Sequence, residues 1–112
     1  MTKKSILITG GTSGIGLNIV DSLHKNYRFV NLSRSKPKDI NKNIFSESCK
    51  IDLLGPEENI RKVLIHLKSK DEVYDGLVAC SGMQKISPIL GIREKDIIEL
   101  FQLNLFANVF LL

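Results

Sequence analysis

The chain has 112 residues, 43% of them hydrophobic, and a formal net charge of +4. That length holds one domain at most, and the apolar content is that of a globular chain rather than a disordered one. The basic residues are scattered from Lys3 to Lys95 without a concentrated patch, and the longest apolar region, 97–112, is interrupted by Glu99, Gln102, Asn104 and Asn108, so neither a nucleic-acid surface nor a membrane span is expected.

The predicted elements alternate strand and helix, which argues for a parallel sheet covered on both faces. Lys4 to Thr9 is the first strand. Gly14 to Lys25 is the first helix, with Ile15, Ile19 and Leu23 on one face, Val20 beside them, and Asn26 able to end the helix in the left-handed conformation. Arg28 to Leu32 is the second strand, and polar residues 35–43, with Pro37, form a loop. Ile44 to Ile51 holds a third strand whose polar Ser46, Glu47 and Ser48 suit a sheet edge. Pro56 opens the next helix, Glu57 and Glu58 complement its dipole, and Ile60, Val63, Leu64 and Leu67 form its buried stripe. Gly76 to Cys80 is the fourth strand, followed by a loop around Ser81 to Ser87. The last helix starts near Arg93 and still runs at Leu112, with apolar residues nearly all round its axis. A helix of that kind is covered by more than one neighbour.

No metal site is expected. Cys49 and Cys80 fit neither a Cys-x-x-Cys pair nor a disulfide framework and read as two reduced, buried thiols. His24 and His66 fall in separate helices with no ligand cluster and read as solvated or partly packed. No signal-type segment opens the chain, so a cytoplasmic location is expected.

The chemistry concentrates in Thr9 to Gly16, Thr-Gly-Gly-Thr-Ser-Gly-Ile-Gly, directly after the first strand. Glycines allow positive φ and a close approach to a ligand, and the unpaired N–H groups of the following helix suit a phosphate. Gly11 and Gly16 have P-loop spacing, but Leu17 and Asn18 stand where the pattern needs Lys and Ser/Thr. Gly14 and Gly16 could begin Gly-x-Gly-x-x-Gly, but Ile19 takes its third position. Thr9, Gly10, Gly14 and Gly16 instead carry Thr-Gly-x-x-x-Gly-x-Gly.

With that loop the chain resembles the short-chain dehydrogenase/reductase family. Asp52-Leu53 is similar to the family's adenine-contacting Asp segment. Residues 75–82 look like its fourth strand and Asn-Asn-Ala-Gly turn, although Ala79-Cys80-Ser81 depart from the turn's first three positions. Asn104-Leu105-Phe106 resembles the Asn-containing segment of the next helix. The resemblance implies a Rossmann-type α/β fold, doubly wound, with about four parallel strands in the order 3-2-1-4. It implies that Gly10 makes the turn, Gly14 admits a pyrophosphate and Gly16 permits close helix–strand packing, with Thr12, Ser13 and Ile15 as donors. Asp52, beside Leu53, would accept from the adenine amino group, a turn or capping role being its alternative. Ser81 and Gly82 would lie along the nicotinamide ribose. Asn104, the one member of the catalytic set present, would bend its helix and hold a water in a proton relay, or simply satisfy a neighbouring carbonyl.

A carboxylate near the end of the second strand usually takes the adenosine ribose of NAD. Leu32-Ser33-Arg34 has none there. Arg34 suits a 2′-phosphate, with Ser33 as a further donor, and NADP(H) is therefore expected over NAD(H); a solvated loop charge is the alternative for Arg34. The family's proton donor is a Tyr with a Lys four residues on, together with a Ser. Here Tyr27 is followed at that distance by Asn31, and Tyr74 by Val78. The chain therefore reads as the cofactor-binding N-terminal part, residues 1–112, of a longer NADP(H)-dependent oxidoreductase acting on a carbonyl or alcohol. By itself it is expected to have little turnover and to self-associate through Phe101 to Leu112 and the open edge of the fourth strand. The rival reading is a non-catalytic nucleotide-binding or oligomerisation module.

Overall fold

The sheet is built outward from β1, Lys4–Thr9, which pairs in parallel with β2, Tyr27–Ser33, on one side and with β4, Gly76–Ala79, on the other. In this computed structural model the described residues are 3–54, 57–69, 73–82 and 91–106. β3, Glu47–Lys50, completes a four-stranded parallel sheet in the order β3-β2-β1-β4, as expected. Register runs from Lys4 opposite Tyr27 to Thr9 opposite Leu32, and Thr9 also sits opposite Ala79. β4 is pinned where it begins: the Ser5 amide donates to Asp75 Oδ2 at 2.9 Å, and the Asp75 amide returns a bond to the Ser5 carbonyl at 2.8 Å.

Alternation along β1 and β2 sends apolar side chains to both faces. On one face Ile8 and Phe29 meet Val20 of α1, Gly14–Leu23, with Phe45 closing the cluster. On the other, Leu7, Val30 and Leu32 meet Ile60 and Leu67 of α2, Glu57–Lys68, together with Ile51 and Leu53. Each such buried side chain contributes about 1.5–3 kcal/mol of hydrophobic stabilisation. Val63 and Leu64 pack against the second cluster, so the stripe read from α2 is the one it buries.

α1 differs from its sequence reading. Ile15 is 76% exposed and Leu23 40%, while the buried positions are Gly16 and Val20. The helix lies so close to the glycine loop that a glycine, not a large side chain, must face inward. It also ends at Leu23 rather than Lys25, with the His24 amide bonded to the Val20 carbonyl and the Asn26 amide to the Leu23 carbonyl. β2 is longer than read, extending to Tyr27 and Ser33. β3 is shorter, because Lys42–Ile44 form a single 3₁₀ turn that delivers Phe45 into the core. Both cysteines are free but half-buried rather than buried.

α3, Glu94–Phe101, has Arg93 at its N-cap and Glu94 and Asp96 in its first turn. It passes into a π-helical turn over Gln102–Phe106. None of the α3 residues is buried: Ile97, Ile98 and Phe101 are 45–57% exposed, and Leu105 in the following turn is 47% exposed. The expectations for Pro56, for the loop beyond Gly82 and for the last helix beyond Phe106 lie outside the described residues. Among the described residues no helix is long and apolar enough to cross a membrane, and no metal-binding cluster occurs.

Candidate functional site

All four strands deliver their C-terminal ends to one edge of the sheet. Between β1 and β4 the chain order reverses, and at such a point the loops diverge and open a crevice. A cleft of about 340 Å³ lies there, walled by the glycine loop, by the segments after β2 and β3, by residues 80–82 after β4, and by Leu103.

The glycine loop is fixed from below. The Gly10 amide donates to the Leu32 carbonyl at 3.0 Å, and the Gly11 amide to Asn31 Oδ1 at 2.8 Å. Gly10 and Gly14 have φ of +68° and +57°, a region side chains with a Cβ rarely adopt. A Cβ on Gly16 would fall 2.2 Å from the Gly10 carbonyl oxygen, so the helix can start this close to the loop only with glycine. A Cβ on Gly14 would meet nothing within 4 Å, leaving space above the loop.

The start of α1 suits an anion. Ser13 at the N-cap makes no side-chain capping bond, and no acidic residue lies in the first turn. The first intrahelical bond runs from the Leu17 amide to the Ser13 carbonyl. The amides before it point out of the helix with the positive end of its dipole behind them. This cradle fits the pyrophosphate of a dinucleotide.

Every cofactor-binding candidate read from the sequence lines this one cleft: Gly10, Thr12, Ser13, Gly14, Ile15, Gly16, Ser33, Arg34, Asp52, Leu53, Ser81 and Gly82. Two of them carry local duties as well. The Ser33 hydroxyl donates to the Ser35 carbonyl at 2.7 Å and is nearly buried, so its proton is directed into the turn rather than toward a ligand. Asp52 Oδ1 accepts the Leu54 amide at 2.9 Å, the turn role that was its alternative.

The turn after β4 has its own brace. Thr9 Oγ1 accepts the Cys80 amide at 3.2 Å and the Ser81 amide at 3.1 Å, holding the Ala79-Cys80-Ser81 segment that departs from the family's pattern. Asn104 sits in the π-helical turn, and a Cβ on Gly82 would lie 3.0 Å from its Oδ1. It therefore stands against the Ser81–Gly82 end of the cleft.

Several residues escaped the sequence reading. Ser35, Ile51, Leu54, Cys80 and Leu103 also line the cleft, and Gly11 and Asn31 underpin it. A Cβ on Gly11 would lie 2.7 Å from Asn31 Oδ1. The doubled Gly10-Gly11 and a lone amide inside Phe29-Val30-Asn31-Leu32 were the available signals.

The model of the short chain dehydrogenase family matches residues 4–112. The chain belongs to the short-chain dehydrogenase family. A 3-amino-tetrahydro-pyrrolizinone reductase of Xenorhabdus hominickii is 30% identical over 97% of this chain, which spans 39% of that protein's length. A short-chain dehydrogenase of Leptospira borgpetersenii with bound NAD+ superposes with a TM-score of 0.86 at 26% identity, over 99% of this chain and 44% of that one. ElxO with NADP bound shares the fold, with a TM-score of 0.81 at 23% identity, over 97% of this chain and 47% of its own. Solved proteins holding either nicotinamide cofactor thus share the fold found here.

Proposed function

We propose that this chain holds NADP(H) for an oxidoreductase that interconverts a carbonyl and an alcohol. The observation that carries the preference is the end of β2: Ser33, Arg34 and Ser35 form that wall of the cleft, and no carboxylate stands there to take ribose hydroxyls or repel a 2′-phosphate. Arg34 grips the 2′-phosphate through charge-assisted hydrogen bonds. The Gly14–Gly16 amides hold the pyrophosphate, Asp52 and Leu53 border the adenine, and Ser81 and Gly82 border the nicotinamide ribose. When bound, the nicotinamide supplies or accepts the hydride.

Asn104 is the residue of this chain assigned to the catalytic side, where its amide orders a proton-carrying water. Neither tyrosine is followed by Lys at the required distance, so the proton donor belongs to a longer protein, as the 39% coverage of the curated relative supports. These residues alone bind cofactor without appreciable turnover. The exposed Ile97, Ile98, Phe101 and Leu105 support self-association through α3 in a cytoplasmic enzyme.

Fluorescence titration with NADPH and NADH tests the cofactor reading. NADPH binds more tightly, and Arg34→Ala lowers its affinity about tenfold, an interaction of ~1.4 kcal/mol, while changing that of NADH much less. Equal losses for both cofactors would remove the preference.

A further inference from the structure

Asn31 lies at the middle of β2 with no exposed surface, among residues that are otherwise core. A buried amide is costly unless its hydrogen-bonding groups are matched. Here each of them has a partner. Oδ1 accepts the Gly11 amide at 2.8 Å. Nδ2 donates to Ser33 Oγ at 2.9 Å and to Ser48 Oγ at 3.0 Å. The orientation of the amide is fixed, because a backbone N–H can only donate and must face the oxygen.

The chain of bonds continues. Ser33 Oγ, having accepted from Asn31, donates to the Ser35 carbonyl at 2.7 Å. One buried side chain thus connects Gly11 in the glycine loop, Ser48 on β3, and the turn that carries Arg34. Bonds aligned donor to acceptor in this way polarise one another. Gly11 is locked into the arrangement sterically as well, since a Cβ there would meet Asn31 Oδ1 at 2.7 Å.

We propose that Asn31 is a positioning residue that fixes the glycine loop and the Ser33–Ser35 turn in one relation, so that the groups holding the pyrophosphate and the 2′-phosphate are spaced by a single amide. This rests on the NADP(H) reading given above. Asn31 touches no ligand; it acts through Gly11 and Ser33. Its loss loosens both ends of the cleft together, whereas loss of the Ser33 hydroxyl releases only the Arg34 turn.

Two variants, Asn31→Leu and Ser33→Ala, separate these effects when the affinities for NADPH and NADH are measured by calorimetric titration well below each variant's melting temperature. Asn31→Leu weakens both nucleotides at least tenfold in protein that remains folded, and the Gly11 amide loses its protection from hydrogen exchange. Ser33→Ala reduces discrimination between NADPH and NADH at least threefold. A lowered melting temperature with both affinities within twofold of wild type overturns the proposal, because that is the signature of a core residue with no positioning role. If Asn31→Leu does not fold, Ser33→Ala decides, and unchanged discrimination overturns the proposal. A wild-type chain that binds neither nucleotide refutes the NADP(H) reading and the inference with it; wild-type binding with unaltered variants refutes the inference alone.

Discussion

The two ends of the described chain bury their apolar residues very differently. Around β1 and β2, Ile8, Thr9, Val20, Val30, Asn31 and Leu32 have no exposed surface, and the glycine loop is tied to β2 through Gly10 and Gly11. In α3, by contrast, Ile97, Ile98 and Phe101 are about half exposed. The glycine loop is therefore held by short-range geometry contained within the β1–α1–β2 unit. The helix carrying Asn104 meets the site where Leu103 packs against the core and Asn104 stands beside Gly82. The glycine loop and the helix that carries Asn104 thus differ in how deeply their residues are buried.

Substitutions on the two sides should diverge accordingly. The largest effect is expected from Gly16→Ala, whose Cβ would fall 2.2 Å from backbone oxygen. Overpacking against a main chain that cannot yield costs about 3 kcal/mol or more, and thermal melting followed by circular dichroism should show a much less stable protein. A melting curve like wild type would mean that the loop can move away from α1. Val20→Ala, at a fully buried position, should cost about 2 kcal/mol in a urea titration.

Gly14→Val is the sharper probe, because it separates conformation from binding. Positive φ costs a β-branched residue about 1–2 kcal/mol, and the new side chain stands over the open space above the loop. NADPH affinity should fall at least tenfold even where the variant is folded. Retained affinity would show that the diphosphate lies elsewhere. The smallest effect is expected at Ile98, 57% exposed: Ile98→Ser should change stability by no more than about 0.5 kcal/mol in a dilute monomer. A larger loss appearing only at high protein concentration would instead point to an interface on that helix.

Which features were legible in the sequence follows from how local their causes are. The strands β1 and β2 and the glycine turn depend on alternation and on a motif within one βα unit, and they are visible in residues 4–32, whereas the strand order, which needs β3 and β4 as well, came from the family resemblance. Ile15 and Leu23 were misread because helical periodicity says which residues share a face, but not how near the helix comes to its neighbour. The contact of Gly16 with Gly10 decides that, and it turns the helix so that glycine faces inward. Phe45 lay inside the range read as a strand because a 3₁₀ turn and a short strand present similar apolar spacing. Asn31 went unread since its partners, Gly11, Ser33 and Ser48, come together only when three strand ends meet. The hydroxyl of Ser33 was visible; the carbonyl that claims its proton was not.

In the proposed complex the first amides of α1 receive the diphosphate. The most direct measurement is a ¹H–¹⁵N spectrum of the labelled chain with added NADPH. Saturating nucleotide should shift the amides of Gly14, Ile15 and Gly16 more than any on α2 or α3. Amide shifts elsewhere with those three unmoved, or no shifts at all in folded protein, would contradict this placement.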